Sequence, residues 1–186
     1  MSEPVRLSPP TSPDVPKLII FDLDDTVWYP ELYMMCGAPW TRDELGRVTD
    51  VCDEELSIYP AAREAIAMIL RHEAFAGTRV AVASRTNRGR WALEAMDLLS
   101  VAPGLSLREA AGDLCEIYVG SKRRHFQALR DKTGVAYRHM LFFDNEGINC
   151  EEVGQLGVCC VHCPGGMSQG AWEKGLSTYA SGGRGR

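Results

Sequence analysis

The runs Leu18-Ile-Ile-Phe21 and Met140-Leu-Phe-Phe143 are apolar at every position. A strand with one wet face alternates apolar and polar side chains, so unbroken runs of this length suit strands buried on both faces. Arg79-Val-Ala-Val-Ala83 reads as another strand, a short one falls near residues 115–119, and Gly157-Val-Cys-Cys-Val161 is the last. Helical patterns separate them. That alternation predicts an α/β fold, a parallel sheet with helices on both faces.

Pro60 opens a helix over residues 61 to about 75, because its missing N–H would be unpaired in a first turn anyway. Ile66, Ile69 and Leu70 form its stripe, and Gly77 ends it. A second helix covers residues 87–99, with Trp91, Ala95, Leu98 and Leu99 on one face. A third covers residues 121–132, with Phe126 and Leu129 inward and Gly134 as its stop. Ser168 caps a last helix that sets Trp172, Leu176 and Tyr179 on one side. Residues 28–58 show no clean period and are too long for an ordinary connection. They read as a flap, a small hairpin or irregular lid over whatever the first strand presents.

A chain of 186 residues suits one domain. We place it at residues 17–180, between a Pro-rich leader (1–16), expected to be disordered, and a flexible tail (181–186). The chain carries 20 Lys and Arg against 25 Asp and Glu, a net charge of −5. That argues against a nucleic-acid binder working by broad phosphate neutralisation, though not against a small basic pocket. No apolar run nears the roughly 18–20 residues that cross a bilayer, so no membrane partner is expected. Seven cysteines, an odd number without an export signal, predict free thiols and a cytoplasmic setting; a monomer is expected.

The chemistry concentrates after the first strand, in Asp22-Leu-Asp24-Asp25-Thr26. Carboxylates so close together repel one another, and partial burial adds to the cost. A solvated acidic turn would tolerate them. A hard divalent cation would offset them, taking one or two carboxylates together with substrate phosphate.

Phe21-Asp-Leu-Asp-Asp-Thr-Val-Trp28 resembles the first motif, DxDxT[LV], of the haloacid dehalogenase (HAD) superfamily. Three more pieces follow in the family's order. Ser84-Arg85-Thr86 stands at a strand end, Lys122 opens a helix, and Phe143-Asp144-Asn145-Glu146 follows a strand. Within that superfamily the chain is most similar to the magnesium-dependent phosphatase-1 group. Gly120-Ser-Lys122, Gly157-Val-Cys-Cys-Val-His162 and Gly165-Gly-Met167 extend that match over about residues 17–180. The resemblance implies a three-layer Rossmann-like fold, sheet order 5-4-1-2-3, with a minimal flap and no large cap.

It also implies roles. Asp22 would be the nucleophile that forms an aspartyl-phosphate. Asp24 would be general acid to the leaving oxygen and then general base to water. Ser84, and Arg85 if it is more than a surface arginine, would bind the phosphoryl group, and Lys122 would set a cation beside it. Mg2+ would rest on Asp22, Asp144 and the backbone carbonyl of Asp24. Asn145 stands where the group is expected to carry a second acid. It keeps an oxygen near the metal and drops one charge, so Mg2+ affinity should be weakened. The substrate classes implied are protein phosphotyrosine and sugar phosphates on glycated amines. Rival readings are a small-metabolite phosphatase or phosphotransferase, and a phosphate-binding module without turnover.

Other features carry less. Cys159-Cys-Val-His-Cys163 has zinc-ligand types but no second cluster, and it reads as a buried strand. His125 and His139 read as surface or helix-end residues. Trp28 and Tyr29 would either line a substrate mouth or pack the flap, and Trp40 is a weaker candidate for substrate contact. Arg123 and Arg124 read as a solvated helix face.

Overall fold

The computed structural model describes residues 5–183. In chain order it lays down β1 (Leu18–Phe21), then β2 (Trp28–Tyr29), β3 (Thr41–Arg42), β4 (Val48–Thr49), β5 (Glu55–Ile58) and α1 (Pro60–Arg71). There follow β6 (Arg79–Ser84), α2 (Gly89–Leu98), β7 (Ser100–Ala102), β8 (Leu105–Ser106), α3 (Leu107–Ala111) and β9 (Cys115–Ile117). The chain closes with α4 (Lys122–Thr133), β10 (Met140–Asp144), α5 (Gly147–Gly154), β11 (Cys159–His162) and α6 (Gln169–Ala180).

The main sheet runs β11-β10-β1-β6-β9, every pair parallel, with β1 at its centre. This is the expected 5-4-1-2-3 order. Successive β1 residues point to opposite faces, and both faces are dry. Ile19 and Phe21 pack with α1, α2 and α6. Leu18 and Ile20 pack with Phe126 and Leu129 of α4 and Val153 of α5. Two buried faces explain why the run had no polar positions.

The register puts Phe21 beside Phe143 and Val82. Asp22, Asp144 and Ser84 therefore leave the sheet at one edge, the carboxyl end, beside the point where strand order reverses between β1 and β10. Open α/β sheets bind ligands there.

Gly175 of α6 sits over this core. A Cβ on it would lie 2.7 Å from Phe143 Cζ and 3.3 Å from Val161 Cγ2. The Phe143 ring is wedged between Phe21 and Trp172 and has little room to retreat. Gly175→Ala gains about 1 kcal/mol of helix propensity. Overpacking a dense core costs about 1–3 kcal/mol, so the net is a loss of stability. Urea unfolding should show a lower midpoint with an unchanged slope.

Residues 28–58 are more ordered than a hairpin, forming a four-stranded antiparallel sheet, β2-β5-β4-β3. Val48 and Leu56 face each other across it and are buried with Trp40. Its strands are mostly two residues long, too short to show a period. Two of the seven cysteines, Cys36 and Cys52, are joined in a disulfide within it, which corrects the expectation of free thiols. The flap brings their Cα atoms to 6.1 Å. An odd total does not forbid one such pair.

The leader is corrected too. Residues 5–16 hold no regular structure, yet Leu7 is buried in the core, and Trp172 Nε1 donates to the Ser8 carbonyl at 3.4 Å. Val5 and Val15 pack against the same core, so three apolar side chains anchor it. In the tail, Gly182 and Gly183 N–H groups close the end of α6 on Tyr179 O and Thr178 O. Residues 1–4 and 184–186 lie outside the described residues.

Helix α1 stops at Arg71, earlier than predicted, because His72 is extended and its Nδ1 accepts from Ala74 N to start a 3-10 turn. Leu70 is consequently half-exposed and not in the stripe. The β7–β8 hairpin, α3 and α5 had no predicted counterpart. Ser106 and Glu109 form a full capping box at α3, a signal present in the sequence as S-x-x-E.

Candidate active site

Lys122 is the first residue of α4, and its ammonium points back under the sheet edge, fully buried. It donates to Asp22 Oδ1 at 2.6 Å, to Asp144 Oδ2 at 3.0 Å and to the Ala83 carbonyl at 2.6 Å. All three of its protons are thereby used. Asp22 and Asp144 are buried as well. Burial pulls the Lys122 pKa down, but Asp22 and Asp144 more than offset this and hold it above the usual lysine value. Burial pushes the Asp22 carboxyl up; Lys122 pulls it down and Asp144 pushes again, and the balance stands at about 7.

Asp24 lies on the other side of the turn. Its Oδ1 accepts from Trp28 Nε1 at 2.7 Å and from Leu32 N at 3.0 Å. Burial nevertheless raises its pKa, which suits a group that must carry a proton to a leaving oxygen. Trp28 is thus a buried flap residue that holds Asp24, not a wall of the mouth. Tyr29 tilts against Tyr59, and Trp40 packs inside the flap.

Ser84 ends β6, buried, with its Oγ accepting from Thr86 N at 3.3 Å. Arg85 follows and reaches across to Asn149 Oδ1 at 3.1 Å. Asn149 escaped the sequence reading. Its amide donates to both oxygens of Asp144 at 3.1 Å and to Glu146 Oε2 at 2.9 Å. It therefore fixes the orientation of Asp144 and ties Arg85 to it. The signal was an asparagine five places after Asp144, hidden because α5 itself was not predicted.

Asn145 is held by Thr26. Its N–H donates to Thr26 Oγ1 at 2.9 Å, and that hydroxyl donates back to Asn145 Oδ1 at 3.3 Å. Asp22, Asp24, Ser84, Arg85, Asn145, Glu146 and Asn149 line a cleft of about 450 Å³, with Lys122 and Asp144 buried behind it. Glu31 and Tyr33 of the flap and Val119, on the loop before α4, complete its walls. Burial, then the neighbouring Asp25, raise the Glu31 carboxyl to about 7. None of these three was singled out from the sequence, because the flap had no readable pattern.

His125 is a correction. It is fully buried, stacked on Tyr118, with ring nitrogens 2.9 Å from the Ser121 and Tyr118 carbonyls. The helix turn aims it inward, at the loop that delivers Lys122. His139 ends a 3-10 turn, as expected for a surface or helix-end residue. Arg123 and Arg124 are exposed; Arg124 lies over the Tyr118 ring and Arg123 pairs with Gln155. Burial pushes the Cys160 and Cys163 thiols well up.

The donors fit a hard dication. Asp22 and Asp144, with Asp24 and Glu146 close by, set more negative charge here than the Lys122 ammonium neutralises. Among the described residues no three Asp, Glu, His or Cys side chains are grouped to hold a metal. A cation here would rest on two carboxylates plus neutral oxygens. Mg2+ is bound in that manner, with water and substrate phosphate filling the remaining positions. The Asp24 carboxylate is engaged by Trp28 and Leu32, which leaves its backbone carbonyl as its expected contribution.

The model of the family described as Acid Phosphatase matches residues 14–182. The human protein named Magnesium-dependent phosphatase 1 is 34% identical over 166 residues, covering 89% of this chain and 88% of that protein. A Schizosaccharomyces pombe protein named as a HAD-like hydrolase superfamily protein is 32% identical over 149 residues, covering 78% of this chain and 84% of its own. Among solved structures, CbbY from Rhodobacter sphaeroides in complex with phosphate superposes with a TM-score of 0.55 at 16% identity, covering 81% of this chain and 87% of that one. The N-terminal part of a Bacteroides fragilis protein, containing a phosphatase domain complexed with Mg, gives 0.54 at 18% identity. That match covers 91% of this chain and 40% of the other.

Proposed function

The chain belongs to the acid phosphatase family of the HAD superfamily and is a phosphatase, and from that premise we propose that it hydrolyses phosphate monoesters with Mg2+ through an aspartyl-phosphate on Asp22. The observation that carries this reading is the convergence of Asp22, Lys122 and Asp144 in one buried ion cluster, with Asp24 beside it at the cleft.

Asp22, Asp144 and the Asp24 carbonyl would hold the Mg2+, which masks the charge of nucleophile and phosphate when bound. The Asp22 carboxylate attacks phosphorus, and Asp24 gives its proton to the departing oxygen. Asp24 then takes a proton from water as that water attacks the same phosphorus, which frees Asp22 and releases phosphate. The Ser84 hydroxyl donates to a phosphoryl oxygen. Lys122 keeps the Asp22 oxygen aimed and stabilises the charge that gathers on the transferring group. Asn149 holds Asp144 for the cation, a role that outer partners of metal ligands commonly have.

The open cleft suits a bulky leaving group. Tyr33 and Val119, both exposed, offer apolar surface at its mouth. Protein phosphotyrosine and sugar phosphates on glycated amines are the substrate classes we propose. The test is hydrolysis of p-nitrophenyl phosphate and a phosphotyrosine peptide, with Mg2+ or EDTA, by the wild type and Asp22→Asn. Turnover that persists in EDTA or in the variant would overturn the mechanism.

Two consequences concern the metal. Asn145→Asp returns one negative charge beside Asp144. The Mg2+ concentration for half-maximal activity should fall about three- to tenfold; an unchanged value would remove Asn145 as the cause of weak binding. The second is a pH effect. Asp22 binds its proton more tightly when folded, near 7, than its ordinary value of 3.8. Between those values the folded state holds more protons, so this group makes the metal-free protein less stable as pH rises from about 4 to about 7. Mg2+ must displace that proton. The rise in Tm on adding Mg2+ should therefore grow across the same window, as a thermal melt series will show.

A further inference from the structure

We propose that the Cys36–Cys52 disulfide is a redox clamp on the flap, and that its reduction by a dithiol lowers turnover by loosening the segment that walls the cleft and holds Asp24. The proposal rests on the phosphatase reading of that cleft.

Residues 30–40 lie between β2 and β3 and belong to no strand. One end of this segment works for the site. Glu31 and Tyr33 line the cleft, and Leu32 N donates to the Asp24 carboxylate. The other end is where the segment is fastened. There the bridge joins Cys36 to Cys52, in the turn between β4 and β5. The buried Asp50 carboxylate doubles the link. One oxygen accepts from Cys36 N at 2.7 Å and Gly37 N at 3.2 Å, the other from Cys52 N at 2.8 Å and Glu54 N at 3.0 Å. Gly37 then lies flat on Trp91 of α2: a Cβ there would stand 2.3 Å from the indole, and its φ is +92°. The bridge is thus the covalent part of a fastening four residues from the Leu32 N–H that holds Asp24.

Both cysteines are exposed, so a reductant can reach either sulfur. A thiolate of the dithiol attacks one sulfur, and the S–S bond breaks to release the other as a thiolate, which takes up a proton. The second thiol of the reductant then displaces the mixed disulfide. Two electrons and two protons pass to Cys36 and Cys52, and the reductant leaves as its own disulfide. Removing the cross-link returns conformational freedom to the chain between the two cysteines. What loosens first is the part with no strand partners.

The experiment uses the full chain purified without reductant. Titration of thiols in denaturant should find five, with the bridged pair silent; seven would overturn the proposal. Oxidised and dithiothreitol-reduced protein are then compared with Mg2+ present, on p-nitrophenyl phosphate and a phosphotyrosine peptide. Reduction should lower kcat/KM about tenfold and speed amide hydrogen exchange at residues 31–37. Cys36→Ser and Cys52→Ser should each match the reduced protein and ignore dithiothreitol. Equal rates and equal exchange in the two redox states would sink the clamp. If neither state turns over substrate, the phosphatase reading fails, and exchange at residues 31–37 still decides the clamp by itself.

Discussion

Asp22→Asn is expected to lower kcat by at least about 10³-fold while leaving the protein folded. The amide keeps the shape of the carboxylate but cannot attack phosphorus. Its effect on stability should have the opposite sign. The Asp22 carboxylate is costly to the fold at neutral pH, since burial and Asp144 hold its proton on up to about 7. Asparagine removes that cost and leaves Lys122 paired with Asp144 at 3.0 Å. The variant should therefore unfold at the same or higher urea concentration at pH 7.5, and the loss of stability between pH 4 and 7 should flatten. A large drop in midpoint would show that the ion pair outweighs the desolvation. Activity that survives would mean the nucleophile lies elsewhere.

Lys122→Met should be the most damaging single change. It fills the same space but strips the cation from Asp22 and Asp144 and the donor from the Ala83 carbonyl. Breaking a buried pair by removing one partner costs about 3–5 kcal/mol. The carboxylates left behind repel more strongly, and without the cation that lowers it the Asp22 pKa climbs further. The variant then loses stability as pH rises above the ordinary carboxyl range, and regains much of it near pH 4–5, where Asp22 holds its proton. Urea unfolding at pH 5 and pH 7.5 separates the cases. A pH-independent loss would make Lys122 a packing residue only. Adding Asp22→Asn to Lys122→Met should recover part of the loss at pH 7.5, because one of the two stranded charges is gone.

The sheet and the carboxylates of the candidate site were legible for one reason. In this fold the candidate groups follow apolar strand runs, so Asp22, Ser84 and Asp144 each stand at the end of a segment that local sequence already defines. Lys122 was legible because it opens a helix capped by Ser121. What escaped reading depends on non-local geometry. Cys36 and Cys52 meet because two strands of the flap fold back, and no periodicity records that. Glu31 and Tyr33 reach the cleft from a segment with no pattern of its own. Asn149 sits on a short, weakly amphipathic helix. Leu7 stands in a Pro-rich stretch with no period, and the Ser8 carbonyl beside it meets Trp172 of α6 from the far end of the chain. His125 was misjudged because a polar residue on a charged helix reads as solvated, whereas the turn from Tyr118 to Ser121 encloses it.

The central position of β1 has a consequence for how such a molecule can change over time. The strand that carries Asp22 is hydrogen-bonded on both edges and packed on both faces, so it can open only when the whole domain does. The flap leaves the sheet after β1 and returns before α1, and its own strands pair only with one another. The flap is nonetheless joined to that strand through packing, because Trp28, Leu32, Val48 and Leu56 share one buried core with Ile19 and Phe21. Substitutions at the exposed Tyr33 can alter which leaving groups are admitted while β1 stays in place, whereas changes at Trp28 or Leu32 would also loosen Asp24.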